Sequence, residues 1–229
     1  MHKYRWVLFD ADHTLFDFDK ASEEALSEVL VDHGIEWCEG MYRDYKKINI
    51  QCWMEHEQGI IDRDTLVYER FRRYFDFRNL DLDPVTTQQK YLEGLSAKPY
   101  LMPGAEEILT WLKDRINLGY ITNGMGVVQR PRLESIGWHK KFNVIVIAGE
   151  IGFSKPHWEY FNFTHNQMGG PGKSEVLVVG DSLTADIAGA QLFGYHTCWF
   201  NPIQDECHLD RKPDYTISHL NELREIILM

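Results

Sequence analysis

The apolar run Trp6-Val7-Leu8-Phe9 ends in two carboxylates, Asp10-Ala11-Asp12. Three further apolar runs lead into groups that ionise or donate. Leu118 to Ile121 is followed by Thr122-Asn123-Gly124, Val144 to Ala148 by Lys155 a few residues on, and Val176 to Val179 by Gly180-Asp181-Ser182. Asp186 follows Asp181 by five. Gathered in one cleft, Asp10, Asp12, Asp181 and Asp186 cannot all ionise without a compensating cation. Mg²⁺ meets that need, because it takes oxygen ligands, keeps some waters and shares substrate phosphates. Thr122, Asn123 and Lys155 would offer donors and a positive charge to such a phosphate. A strand-end aspartate is a competent phosphoryl acceptor. A second carboxyl two residues on can protonate the leaving oxygen and later deprotonate the attacking water. The metal would neutralise charge on the transferring group.

Such groups need elements that bring them to one place. Short unbroken apolar runs read as strands covered on both faces. They alternate with helical patterns from Pro99 onward, which implies βαβ units and a mainly parallel sheet. In such a sheet all the strand ends named above lie on one edge, where ligands bind. Residues two apart on an extended chain face the same side, so Asp10 and Asp12 are expected to converge. From about Lys20 to Ser96 the pattern is helical throughout. Its apolar stripes are Ala25, Leu26, Val29 and Leu30, then Tyr42, Tyr45, Ile48, Cys52 and Trp53, then Leu66, Tyr68, Phe71, Tyr74 and Phe75. Asp83-Pro84 starts a fourth helix. This block reads as a helical bundle inserted after the first strand. Trp111, Trp138 and Trp158 read as packing on helices.

The set Asp10-x-Asp12-x-Thr14, Thr122-Asn123-Gly124, Lys155-Pro156 and Gly180-Asp181-Ser182 with Asp186 resembles the four motifs of the haloacid dehalogenase superfamily. The resemblance implies an α/β fold, a Rossmann-like parallel-sheet core (1–17 and 98–229) with an inserted helical cap (18–97). It implies Asp10 as nucleophile, Asp12 as general acid and base, and Thr122 and Lys155 as phosphate ligands. It also implies Mg²⁺ held by the side chains of Asp10 and Asp181 and the backbone carbonyl of Asp12, with Asp186 acting through water. Dehalogenating members lack the second aspartate of the first motif, so Asp12 points to a phosphatase. A narrower likeness is to bacterial pyrimidine 5′-nucleotidases of the YjjG type. It lies in Phe9 to Phe16, in Ile121 to Gly124 with Gln129, Arg132 and Leu133, and in Cys198-Trp199-Phe200-Asn201. Where that subgroup commonly has glutamate, this chain has His13. Asn49 and Trp53, four apart on one helix face, are candidates to present an amide and a stacking ring to a base, with packing as the competing reading for Trp53.

Bulk properties narrow the partners. With 24 Lys and Arg against 35 Asp and Glu, the net charge of -11 argues against a nucleic-acid polymer or an anionic membrane. No apolar stretch approaches the roughly 20 residues of a membrane span. There is no signal-peptide pattern, and the four cysteines are scattered, so a cytoplasmic protein is expected, monomer or homodimer. Three look-alike motifs fail. The sixth and twelfth positions from Asp10 are Leu15 and Ala21, which excludes an EF-hand loop. Gly170-Pro171-Gly172-Lys173-Ser174 runs from helix to strand, the wrong direction for a phosphate-binding loop. Asn162-Phe163-Thr164 matches a glycosylation site by chance in a chain expected not to be secreted.

The expected substrate is a small phosphorylated metabolite, nucleoside 5′-monophosphates first. A sugar or organic-acid phosphate is the alternative, and a phosphomutase is a further one. Outside enzymes, a receiver-like switch also places an aspartate, a threonine and a lysine on a parallel sheet. The helical insertion and Asp12 argue against it.

Overall fold

The computed structural model describes residues 3–229. In chain order the elements begin with β1 (Trp6–Asp10) and four helices, α1 (Phe18–Asp32), α2 (Met41–Glu57), α3 (Arg63–Arg78) and α4 (Pro84–Ser96). Next come α5 (Ala105–Leu112), β2 (Asn117–Thr122), α6 (Gly126–Ser135), β3 (Val144–Ile147), α7 (Ala148–Ile151) and α8 (Trp158–Gln167). β4 (Val176–Gly180) leads into a wide π-type turn, Leu183–Ala188, then α9 (Gly189–Phe193), β5 (His196–Phe200), β6 (Tyr215–Ile217) and α10 (Leu223–Leu228). The described chain divides into two compact units, one of residues 3–18 with 99–229 and one of 19–98. The expected start of the core at residue 1 lies outside the described residues.

The larger unit holds one six-stranded sheet of order β3-β2-β1-β4-β5-β6, every pair parallel. β1 is buried along its whole length because both sheet faces are covered. Val7 and Phe9 pack into a layer with Ile108, Leu112, Leu223 and Ile227. Trp6 and Leu8 pack into the opposite layer with Tyr160, Phe161 and Phe193. The strand order reverses at β1, which pairs with β2 on one side and β4 on the other. That reversal is where an open α/β sheet forms its ligand crevice. Gly119 in β2 has a close-approach role, since a Cβ there would collide with Leu8.

The smaller unit contains helices only. Asp62 caps α3 by accepting from the Thr65 amide at 2.7 Å, and Asn79 ends it in the left-handed conformation at φ 53°. Asp83 caps α4 with Pro84 in the first turn, as its sequence signals. Tyr45, Phe71 and Tyr91 form its aromatic centre, with ring centroids 5.2 to 5.6 Å apart. Two expected packing residues are largely solvent-facing: Tyr68 is 40% exposed, and Trp158 of the larger unit is 55% exposed while its ring still meets Phe193.

Candidate active site

Asp10 ends β1 at the switch point and is 7% exposed. The Lys155 ammonium donates to Asp10 Oδ1 at 2.5 Å and to Asp186 Oδ1 at 2.7 Å. Asp10, Asp181 and Asp186 each offer a carboxylate oxygen within 4.8 Å of the others. Long-range packing holds each part. The Asn123 amide clamps the Lys155 backbone, accepting from its N–H and donating to its carbonyl, both at 2.8 Å. Thr14 Oγ1 donates to Asp181 Oδ1 at 3.2 Å, and the Trp199 indole N–H donates to the Asp181 carbonyl at 2.9 Å. Asp186 lies in the wide turn, where π geometry often marks functional sites. Its second oxygen accepts from the Ser182 amide at 3.1 Å. A Cβ at Gly180 would collide with this carboxyl, so the glycine is what admits Asp186.

Asp10 and Asp186 share one ammonium, and half-buried Asp181 adds a third carboxylate beside them. Burial pushes Asp10 well above the usual carboxylate range; Lys155 pulls it back, and Asp186 and Asp181 add repulsion. Asp181 is pushed up to about 7, first by burial and then by Asp186. Burial opposes the charge on Lys155, but Asp10 and Asp186 together outweigh it and hold the ammonium above its ordinary value. A set of oxygen donors this close, with negative charge in excess, fits a hard divalent cation. Asp10, Asp181 and Asp186 are the side chains able to hold it.

The sequence-predicted residues fall in different places. Asp10, Lys155, Asp181 and Asp186 come together, Asp186 in direct contact with Lys155. Asp12 stands outside that group of three, and both its oxygens accept from α6. Just past β1 the chain turns: the Leu15 and Phe16 amides donate back to the Ala11 carbonyl, and His13 is left-handed at φ 68°. Thr122 ends β2, 2% exposed, its Oγ1 accepting from the Gly124 amide at 2.9 Å. Asn123 holds the Lys155 backbone with its side-chain amide.

In the helical unit, Asn49 is buried, its Oδ1 accepting from Arg70 Nη1 at 3.0 Å. Trp53 is half-buried, its ring edge-on to His56 at 5.9 Å. Sequence reasoning missed Tyr160, whose hydroxyl accepts from the Thr122 amide at 2.8 Å and donates to the Val146 carbonyl at 2.9 Å, tying β2 to β3. It also missed buried Arg70, one arginine in a helix full of charges. A cleft of about 420 Å³ lined by Arg5, Asn117 and Glu175 lies at the opposite, amino-terminal edge of the sheet, away from these carboxylates.

The family model of haloacid dehalogenase-like hydrolases matches residues 4–194. The chain belongs to that family. This hydrolase is 32% identical to the pyrimidine 5′-nucleotidase YjjG of Escherichia coli, over 98% of each chain. It is 32% identical to the pyrimidine 5′-nucleotidase PynA of Streptococcus pneumoniae, over 98% of this chain and 95% of that one. The crystal structure of YfnB from Bacillus subtilis bound to magnesium superposes with a TM-score of 0.94 at 35% identity, over 99% of this hydrolase and 100% of YfnB. An L-2-haloacid dehalogenase of Xanthobacter autotrophicus shares the fold at TM-score 0.80 and 17% identity. No helix among the described residues is long and apolar enough to cross a membrane.

Proposed function

We propose that this hydrolase removes phosphate from small phosphomonoesters, pyrimidine nucleoside 5′-monophosphates first, through an aspartyl-phosphate on Asp10. The observation that carries the reading is the placement of Asp10 at the sheet's switch point, paired with Lys155 and backed by Asp181 and Asp186. The similarity to YjjG and PynA supports the substrate class.

In this mechanism an Asp10 oxygen attacks phosphorus, and the bond to the ester oxygen breaks as Asp12 gives that oxygen a proton. Water then attacks the acyl phosphate while Asp12 takes its proton, so free phosphate leaves and both aspartates return to their starting state. Lys155 orients Asp10 and offsets charge on the transferring group. The hydroxyl of Thr122 and the strand-end backbone around Asn123 bind phosphate oxygens. The side chains of Asp10 and Asp181 and the Asp12 carbonyl, with Asp186 acting through water, would hold Mg²⁺, which would neutralise charge on the transferring group. Asn49 and Trp53 are the proposed contacts to a base.

The test is a Mg²⁺-dependent screen of phosphorylated metabolites, reading released phosphate over many turnovers with Asp10→Asn as control. Release from nucleoside monophosphates above sugar and organic-acid phosphates is expected. A single-turnover burst with no further release would overturn the hydrolase mechanism, and a preference for sugar phosphates would overturn the substrate class.

A further inference from the structure

The Asp12 carboxyl is held from two sides by one helix. Arg132 Nη1 donates to Asp12 Oδ1 at 2.7 Å, and Gln129 Nε2 donates to Asp12 Oδ2 at 2.7 Å. Gln129 and Arg132 are three apart on α6 and so lie on one face, which is buried. The Gln129 amide has a set orientation: its oxygen accepts from the Tyr120 hydroxyl, so its nitrogen faces Asp12. Tyr120 is itself fully buried. The Arg132 side chain has no exposure, and its guanidinium sits 5.4 Å from the Phe16 ring centroid. A Cβ on Gly124 would collide with the Gln129 amide nitrogen, so the strand-end glycine makes room for this contact.

Stability is a poor explanation for the arrangement. Burying a guanidinium completely is costly, and a partner that keeps 24% of its side chain exposed returns little of that cost. What the arrangement does deliver is direction. Donors on both oxygens fix the two torsions of the Asp12 side chain. An ionised carboxyl has about four lone-pair sites, so about two stay available for a proton in flight.

We propose that Gln129 and Arg132, backed by Tyr120, are positioning residues that aim the Asp12 carboxyl at the ester oxygen of the substrate. The inference rests on the acid and base role given to Asp12 above. A carboxyl that swings freely loses proton transfer before it loses substrate binding. The loss is largest for a poor leaving group, such as the 5′-oxygen of a ribose, which needs the proton as its bond to phosphorus breaks. Nitrophenolate leaves as the anion and needs it least.

The experiment uses the full chain with Mg²⁺ and a series of phosphate monoesters from p-nitrophenyl phosphate to uridine 5′-monophosphate. Arg132→Met is expected to lower kcat/KM about 10²-fold for the nucleotide and under about tenfold for the nitrophenyl ester, with KM changed less than about threefold. Gln129→Leu is expected to show the same gradation with a smaller drop. Tyr120→Phe keeps the ring, loses only the hydroxyl and is expected to be milder again. Should Arg132→Met not fold, Gln129→Leu and Tyr120→Phe carry the test. Asp12→Asn separates two failures. If it is graded by leaving group while the α6 variants lose activity equally on all esters, or not at all, the positioning role is overturned and the acid–base role stands. If Asp12→Asn is itself ungraded, the acid–base role falls and takes this inference with it.

Discussion

At the carboxyl edge of the sheet, three carboxylates gather with one lysine: Lys155 pairs with Asp10 and Asp186, and Asp181 lies beside them. Between α2 and α3, three carboxylates meet two arginines: Glu55, Glu69 and Asp76 with Arg72 and Arg73. The side-chain types are alike and the outcomes are opposite. Asp10 and Asp181 are pushed up, chiefly by burial. Glu55 and Glu69 are pulled down, chiefly by the hydrogen bonds that Arg73 and Arg72 donate, Glu69 to about 2. At the sheet edge burial outweighs a single ammonium, whereas on the helices the arginine hydrogen bonds outweigh burial. The Lys155 side chain is 2% exposed, whereas Arg72 is 52% exposed. Charge on the helices is balanced where it stands. At the sheet edge it is left in excess, and that excess is what a cation and a phosphate would meet. The carboxylates of the two groups therefore shift in opposite directions, up for Asp10 and Asp181 and down for Glu55 and Glu69.

The comparison breaks most visibly at Asp10. Asp10→Asn should lower phosphate release by about 10⁴-fold or more. The Tm of the metal-free protein should hold or rise, because a charge leaves a crowded buried cluster. Calorimetry showing a large drop in Tm would place Asp10 among the bracing groups. Metal removal comes next. A chelator should lower Tm, and Mg²⁺ at about a hundred times its Kd should restore about 2.7 kcal/mol. Asp181→Asn should abolish that Mg²⁺-dependent rise, which is readable without any substrate.

Arg70 sharpens the contrast, since it is a buried cation whose side-chain partners are neutral amides, Asn49 Oδ1 and Gln88 Oε1. Arg70→Met strands both acceptors and should cost about 2 kcal/mol in a urea titration. Glu69 tests the surface side through pH. Its folded pKa lies below the ordinary 4.5, so its contribution is complete above that value and fades as pH falls toward about 2. Screening limits the loss to about 1 kcal/mol. Glu69→Gln should flatten this acid limb and leave phosphate release unchanged. Trp53→Ala is the smallest expected effect, about a fivefold rise in KM for uridine 5′-monophosphate with little change for p-nitrophenyl phosphate. Equal changes for both esters would assign Trp53 to packing against His56 alone.

Much of the fold is legible because its signals are local. β1 and β4 announce themselves as unbroken apolar runs, and the covered sheet explains why no polar residue interrupts them. Asp83-Pro84 marks the start of α4 through the cap it forms. Side-chain direction was less legible. β1 ends at Asp10, so the aim of Asp12 follows from the turn beyond the strand and from donors on α6. Asn123 has the chemistry of a phosphate donor, and the structure adds that its amide holds the Lys155 backbone. Trp158 has an aromatic's tendency to bury and is 55% exposed, with its ring against Phe193.

From its sequence alone this protein was bound to carry an acid at the end of β1, another beyond β4 and a lysine between them in the chain. Residue type and strand-end position are local properties. Which carboxylates would crowd together, and which would be held by a helix, depended on partners far along the chain. Arg132 stands 120 residues from the Asp12 it holds, and Lys155 stands 145 from Asp10. Only the packing of α6 and of the sheet edge brings those donors within bonding range, and the aim of a charged side chain follows the donors that surround it.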